Sequence, residues 1–409
     1  MIGDKVVEKL DEGEIVKLTR ELVRIPSVYD PKSGGNEEDV AIFVKRILEK
    51  DGFQVHLDQV EPHRPNVIAI LDGGKPGRTI LLEAHTDVVT PGNVDEWKHP
   101  PFEAEVVNGK IYGRGACDTK NNLASAMLAA KAVKDSGIDF PGRIMLCIPV
   151  DEEGMMLGIK HFIKGGWADG VDGAIICEPE ENNLCIDIKG AIRVLIKIEG
   201  KMAHGAMPLT GINPNPRMAS LILELQELER KEIERLGYHE YLGYPSITPT
   251  RIMSPSDGRG QLNVIPADSL VALDIRTVPG QEDEKLIGQI AKLFEDIKSR
   301  DENFRAEMEV IEKRPCTHTD KDEPIVRAVD SAYRKIVGGD PIYNGVPGAT
   351  DGTFLWAWKD IPLVVTGSGR RDIPHQRDEY VDIDQLIETT KIYAQAIVNF
   401  LFSDGRSEE

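Results

Sequence analysis

The stretch Thr79-Ile80-Leu81-Leu82-Glu83-Ala84-His85-Thr86-Asp87-Val88-Val89 decides the fold. Its apolar body predicts a buried strand, and the polar groups that end it, His85 and Asp87, stand where open α/β sheets place their chemistry. With a side-chain period of two, both would lie on one face of that strand. Three more runs share the design. Arg143 to Val150 ends in Asp151-Glu152-Glu153, Gly173 to Cys177 ends in Glu178-Pro179, and Pro362 to Thr366 leads through a glycine turn to His375. As parallel neighbours these strands would gather His85, Glu152, Glu153, Glu178 and His375 at one edge of one sheet, which is a metal site in outline.

The rest of the composition narrows the function classes. A length of 409 residues favours two domains over a single core. Charged residues make up 29% and hydrophobic ones 41%, and no apolar run is long enough to span a bilayer. The first residues, Met1-Ile2-Gly3-Asp4-Lys5, carry no signal-peptide core, so a cytoplasmic location is expected. A net charge of −20 without a dense Lys/Arg cluster argues against nucleic acid as a partner. The 5 cysteines are odd in number and form no Cys-x-x-Cys pair, so neither a disulfide framework nor a thiolate zinc site is expected.

Along the chain, periodicity predicts a helix over residues 4 to 24 and a second over 37 to 50 with Asn36 as its N-cap. Strands near Phe53 to Asp58 and Pro65 to Leu71 precede the central one. Asp118, in Gly113-Arg114-Gly115-Ala116-Cys117-Asp118-Thr119-Lys120, falls just before a small-residue helix over 123 to 134. Its Gly-x-Gly is no dinucleotide fingerprint, because the third glycine position holds Asp118 and no apolar strand leads directly into it. From residue 189 the pattern changes to the alternation of a half-exposed sheet. Strands at 191 to 198, 246 to 253, 262 to 276 and 305 to 313, with helices at 215 to 235 and 283 to 299, spell a β-α-β-β-α-β unit. The expected fold is α/β: a catalytic domain with a mixed, mostly parallel sheet, formed by residues 1–187 and 316–409, into which a ferredoxin-like α+β domain is inserted at 188–315. The tail from residue 403 onward is expected to be disordered.

Taken singly, each chemical group has a plain alternative. A carboxylate at Asp87 would fix the tautomer of a metal-bound His85, yet a satisfied buried His–Asp pair reads equally well. Solvated loop acids explain Glu152-Glu153 or Glu178 one at a time, but poorly explain their recurrence at strand ends.

The motifs His85-x-Asp87, Gly113-Arg114-Gly115-x-x-Asp118-x-Lys120, Glu152-Glu153, Glu178-Pro179, His204-Gly205-Ala206 and His375 stand in a telling order and spacing. Over nearly its whole length the chain resembles the co-catalytic zinc aminoacylase and carboxypeptidase family. That family includes acetylornithine deacetylase, succinyl-diaminopimelate desuccinylase and glutamate carboxypeptidase. The resemblance implies a zinc-exopeptidase-like fold holding two Zn²⁺ per chain, with Co²⁺ or Mn²⁺ as substitutes. Asp118 would bridge the ions, His85 and Glu178 would hold one, and Glu153 and His375 the other. Glu152 would be the general base. It further implies a homodimer through the inserted domain, with His204 reaching the partner's site to steady the oxyanion, and with Asn263 and Arg276 holding substrate. A cis peptide is implied at Asp118-Thr119. The chain departs from the family where Thr119, Lys120 and Asn121 replace the usual Met, then Lys-Gly. The implied reaction is hydrolysis of an amide bond in N-acyl amino acids or small dipeptides. Two alternatives stand beside it: a non-catalytic binding protein of the same fold, and a dinuclear phosphoesterase, which the negative charge disfavours.

Overall fold

The computed structural model describes residues 2–403, so the expectation for the tail beyond them falls outside the described residues. The chain divides into two compact units, one of Met1–Ile186, Thr319–Asn344 and Thr350–Glu409, the other of Asp187–His318 and Gly345–Ala349.

The first unit is built on a mixed sheet. Its strand order is Gln54–Glu61, Arg64–Asp72, Arg143–Ile148, Thr79–Glu83, Gly173–Ile176, Leu363–Val365, Leu184–Ile188. The four middle strands, Arg143–Ile148 through Leu363–Val365, run parallel; Arg64–Asp72 and Leu184–Ile188, on either side, are antiparallel to them, and the outermost Gln54–Glu61 is antiparallel to Arg64–Asp72. Solid apolar runs such as Ile144–Ile148 and Gly173–Ile176 are buried throughout, as a sheet covered on both faces requires. The helix Lys120–Asp135, rich in alanine, packs closely against Ile383–Leu401, which also packs on Pro324–Val337.

Three local readings differ from the sequence pattern. The helix expected over 4 to 24 is two helices, Ile2–Val7 and Glu12–Val23, because the Asp11 side chain accepts the N–H of Glu14 and starts the second one afresh. The central strand ends at Glu83, so His85 and Asp87 follow the strand and do not alternate on its face. The segment still runs beside its neighbour, with Ala84 N–H donating to the Cys147 carbonyl and Thr86 N–H to that of Pro149. Finally, the strand expected over 262 to 276 is interrupted at Pro266, which has no N–H to give a ladder. Val264–Ile265 pairs with Ala203–His204, and Asp268–Thr277 joins the main sheet of its unit.

The second unit has the sheet order Ser246–Met253, Asp268–Thr277, Gly190–Glu199, Ala306–Arg314, with every neighbouring pair antiparallel. Helices Pro214–Leu236 and Asp283–Arg300 supply Leu221, Leu225 and Ile290 to a core shared with Ile192, Val194 and Ile196 from the sheet. This is the two-layer ferredoxin-like arrangement. Its strand Asp268–Thr277 alternates buried and half-buried residues, as a sheet covered on one face should.

Candidate metal centre

The parallel strands all deliver their carboxyl ends to one place. His85 is fully buried there. Its Nδ1 lies 3.0 Å from the Asp87 main-chain carbonyl and 3.6 Å from the Asp87 carboxylate. With a carbonyl and a carboxylate as acceptors on that side, Nδ1 carries a proton, and Nε2 faces Asp118 Oδ1 at 3.1 Å and Glu178 Oε1 at 3.8 Å. The Asp87 carboxylate also binds elsewhere, where its oxygens accept the N–H groups of Glu152 and Glu153 at 3.1 and 3.0 Å. It thus ties the end of one strand to the acidic turn after the next.

That turn is also held from beneath. Asp151 has a positive φ of 68°, and its carboxylate accepts from Arg64 at 2.7 Å and from Met155 N–H at 2.9 Å. Arg64 in turn grips Glu37 with two nitrogens, and this whole network is buried apart from Glu61, which Arg64 also reaches. Asp118 stands at the head of helix Lys120–Asp135, after a tight loop in which Gly115 has φ 85° and a Cβ would meet Val88 Cγ1 at 2.8 Å. The Asp118–Thr119 peptide is cis.

Asp118 faces both ways. Its Oδ1 is turned to His85, while its Oδ2 lies 3.4 Å from His375 Nε2, which is itself 2.9 Å from Glu153 Oε1. Two ligand triads result, His85–Asp118–Glu178 and Asp118–Glu153–His375, joined by one carboxylate. Donors that bind one tetrahedral ion at 2.0–2.2 Å lie about 3.3 Å apart. The observed separations of 2.9–3.8 Å bracket that value, so the residues fit a pair of ions with nitrogen and oxygen ligands. Glu152, buried beside them, belongs to neither triad.

The electrostatics call for cations. Burial pushes the carboxyls of Glu152 and Glu178 well above the usual range, with neighbouring carboxylates adding to the rise, and it raises Glu153 as well. Hydrogen bonds from His375 and His85 overcome burial and hold Asp118 low. Hydrogen bonds to Asp118 and Glu153 carry His375 up to about 10. Without metal, then, the imidazoles would serve as the site's counter-cations, a place that bound ions would take over.

His204, Asn263 and Arg276 lie in the second unit. His204 is exposed on the short strand Ala203–His204, and Gly205 N–H donates to the Asn263 carbonyl at 2.7 Å, so these two residues are neighbours. Arg276 is engaged by Asp274, Nε to carboxylate at 2.6 Å.

Sequence reasoning overlooked several groups that the fold draws into the site region. Glu379 hydrogen-bonds the loop carrying Asp118. Lys120 is fully buried, donates to the Ile25 carbonyl at 2.6 Å and is pushed down to about 7 by desolvation. Glu83 and Asp351 are fully buried, and among the described residues none hydrogen-bonds to their carboxylates. Glu83 is consequently raised to about 8. A lone acid inside an apolar run was the available signal for Glu83; Asp351 offered none.

Residues 81–399 match peptidase family M20/M25/M40. The chain belongs to that family. Membership makes it a metal-dependent amidohydrolase, consistent with a donor set of histidine and carboxylate. Among similar sequences, a probable succinyl-diaminopimelate desuccinylase of Staphylococcus aureus is 25% identical over 95% of this M20 chain and 98% of its own. An uncharacterized metallohydrolase of Methanocaldococcus jannaschii is 26% identical over 94% of this chain and 98% of its own. Among solved structures, the dipeptidase Dug1p of Saccharomyces cerevisiae aligns with a TM-score of 0.75 at 20% identity, covering 99% of both chains. An M20 metallo-carboxypeptidase of Sulfolobus solfataricus gives 0.76 at 20% identity, over 96% of this chain and 99% of its own. At such identities the structural likeness speaks for the M20 fold.

Proposed function

We propose that this chain hydrolyses the amide bond of N-acyl amino acids or small dipeptides whose scissile bond lies next to a free carboxylate. The carrying observation is the pair of triads joined at Asp118, with the buried Glu152 beside them and outside both. Two Zn²⁺, when bound, would lower the pKa of water and polarise the scissile carbonyl. The chain's own residues do the rest. Glu152 takes a proton from the attacking water and passes it to the leaving nitrogen as the C–N bond breaks, yielding a carboxylate and an amine. Burial holds its carboxyl high, which suits a group that must accept a proton and then give it up. Asp87 keeps Glu152 aimed by holding its backbone N–H, and orients His85 through its own carbonyl.

The second unit would complete the reaction. In this reading the chain is a cytoplasmic homodimer paired through that unit, His204 of the partner subunit steadies the developing oxyanion, and Asn263 with Arg276 holds substrate. A guanidinium is suited to grip the free carboxylate of an amino acid, for which Asp274 now stands in. Deacylase action follows the desuccinylase relative, whereas dipeptidase or carboxypeptidase action follows the solved structures.

The test is metal content by elemental analysis together with hydrolysis of N-acetylornithine, N-acetylmethionine, N-succinyl-diaminopimelate and a few dipeptides. Two zinc ions per chain with metal-dependent amine release from the acyl compounds is the expected result. Release from dipeptides alone would move the activity to peptidase, and failure to take up zinc would overturn the reading.

A further inference from the structure

The loop that presents Asp118 is wrapped around a carboxylate. Glu379, buried and four residues beyond His375, accepts through one oxygen the main-chain N–H groups of Gly115, Cys117 and Asp118 at 3.0, 2.9 and 3.0 Å. Arg114, also buried, binds its other oxygen. Convergent N–H groups of this kind form an anion-binding nest, here filled by the protein's own side chain. The main chain is tied as well. Gly113 N–H donates to the Glu379 carbonyl at 2.8 Å, and Arg114 reaches the His375 carbonyl at 3.3 Å. Both flanks are anchored, since Tyr380–Asp382 pairs antiparallel with Lys110–Tyr112.

We infer that Glu379 is the positioning residue that sets Asp118 against His375 and so fixes the geometry of the Asp118–Glu153–His375 triad. Glu379 touches neither substrate nor ion in this scheme; it acts through the loop backbone. The inference rests on the two-ion reading above, and it makes an asymmetric claim. Asp118 serves both triads, but His375 serves only one, so losing Glu379 disturbs two ligands of that triad and one of the other.

Glu379→Gln keeps the shape and an acceptor for the loop while removing the charge that meets Arg114. Zinc affinities of wild type and variant are read by competition with a chromophoric chelator, alongside the melting of the metal-free proteins and the separate kcat and KM. Wild type should bind two ions. The variant should lose roughly 10–100-fold in affinity for one of them, the scale seen when groups that orient metal ligands are removed. Its other affinity should fall by much less, and kcat should fall with KM kept; metal-free melting drops as well, because Arg114 stays buried without its counter-charge, and the folded variant is compared at a temperature below its own transition. Equal weakening of both ions or unchanged affinities would overturn the inference. Wild-type protein that binds no zinc would instead overturn the two-ion reading. If Glu379→Gln does not fold, Arg114→Lys takes its place: it keeps the charge but lacks the second nitrogen that reaches His375, and the same outcomes apply.

Discussion

His85 and Glu178 follow the ends of two parallel strands and are almost wholly enclosed, whereas His375 stands in a loop with half its side chain exposed. The two triads share Asp118, yet one is set by the sheet and the other by loops and turns that must be held in place separately. Asp87, Arg64 and Glu379 do that holding. An ion in the first triad would be part of the core; an ion in the second would meet solvent and substrate.

Removing metal tests this contrast with the largest effect. Prolonged chelation should abolish turnover, and zinc should restore it. Metal release followed in time should show two phases, the first from the exposed triad and accompanied by the loss of activity. A single phase would erase the distinction between the triads.

Paired substitutions come next. In metal-free protein, His85→Ala leaves Glu178 buried without its counter-cation and Asp118 with His375 alone, a loss of about 3–5 kcal/mol on the scale of broken buried ion pairs. His375→Ala removes a half-exposed imidazole and should lower stability by less than about 1 kcal/mol, while costing the enzyme one ion. Chemical denaturation measures both, and equal losses would count against the contrast.

Arg64→Ala should destabilise by about 3 kcal/mol, because Glu37 and Asp151 stay buried without their counter-charge. It should also weaken zinc at the triad containing Glu153, which lies on the turn that Arg64 supports, and spare the other. Loss of both ions would mean that the turn supports the whole site.

The smallest effect is in protons. His375 is raised to about 10 in metal-free protein, so below that pH it is protonated and must give up its proton to bind an ion. Zinc affinity should therefore rise with pH through the neutral range. Calorimetry in buffers of different ionisation enthalpy should show net proton release, reduced in His375→Ala; no release would mean that the imidazole is already free.

Much of this was legible in the residues because strand ends are cheap to read. Apolar runs that stop at His85, Glu152 and Glu178 announce a sheet edge, and the parallel order of the structure brings them together. The sequence alternation from 190 onward likewise spelled out the two-layer unit. What sequence could not show is how neighbouring segments trade hydrogen bonds. Asp87 reads as a partner for His85 by proximity in sequence, but its carboxylate chiefly binds the amides of Glu152 and Glu153, some 65 residues away. Glu379 stood within view of His375, yet its role depends on a loop more than 260 residues earlier. The break at Pro266 was visible as a proline, and the alternation on either side outweighed it.

The most direct measurement is turnover and metal content of Glu152→Ala. Both zinc ions should remain and kcat should fall by roughly 10²–10⁴, the contribution of a positioned acid–base group. Loss of an ion would show Glu152 to be a ligand, and turnover near wild type would show that another group moves the proton; either contradicts the mechanism.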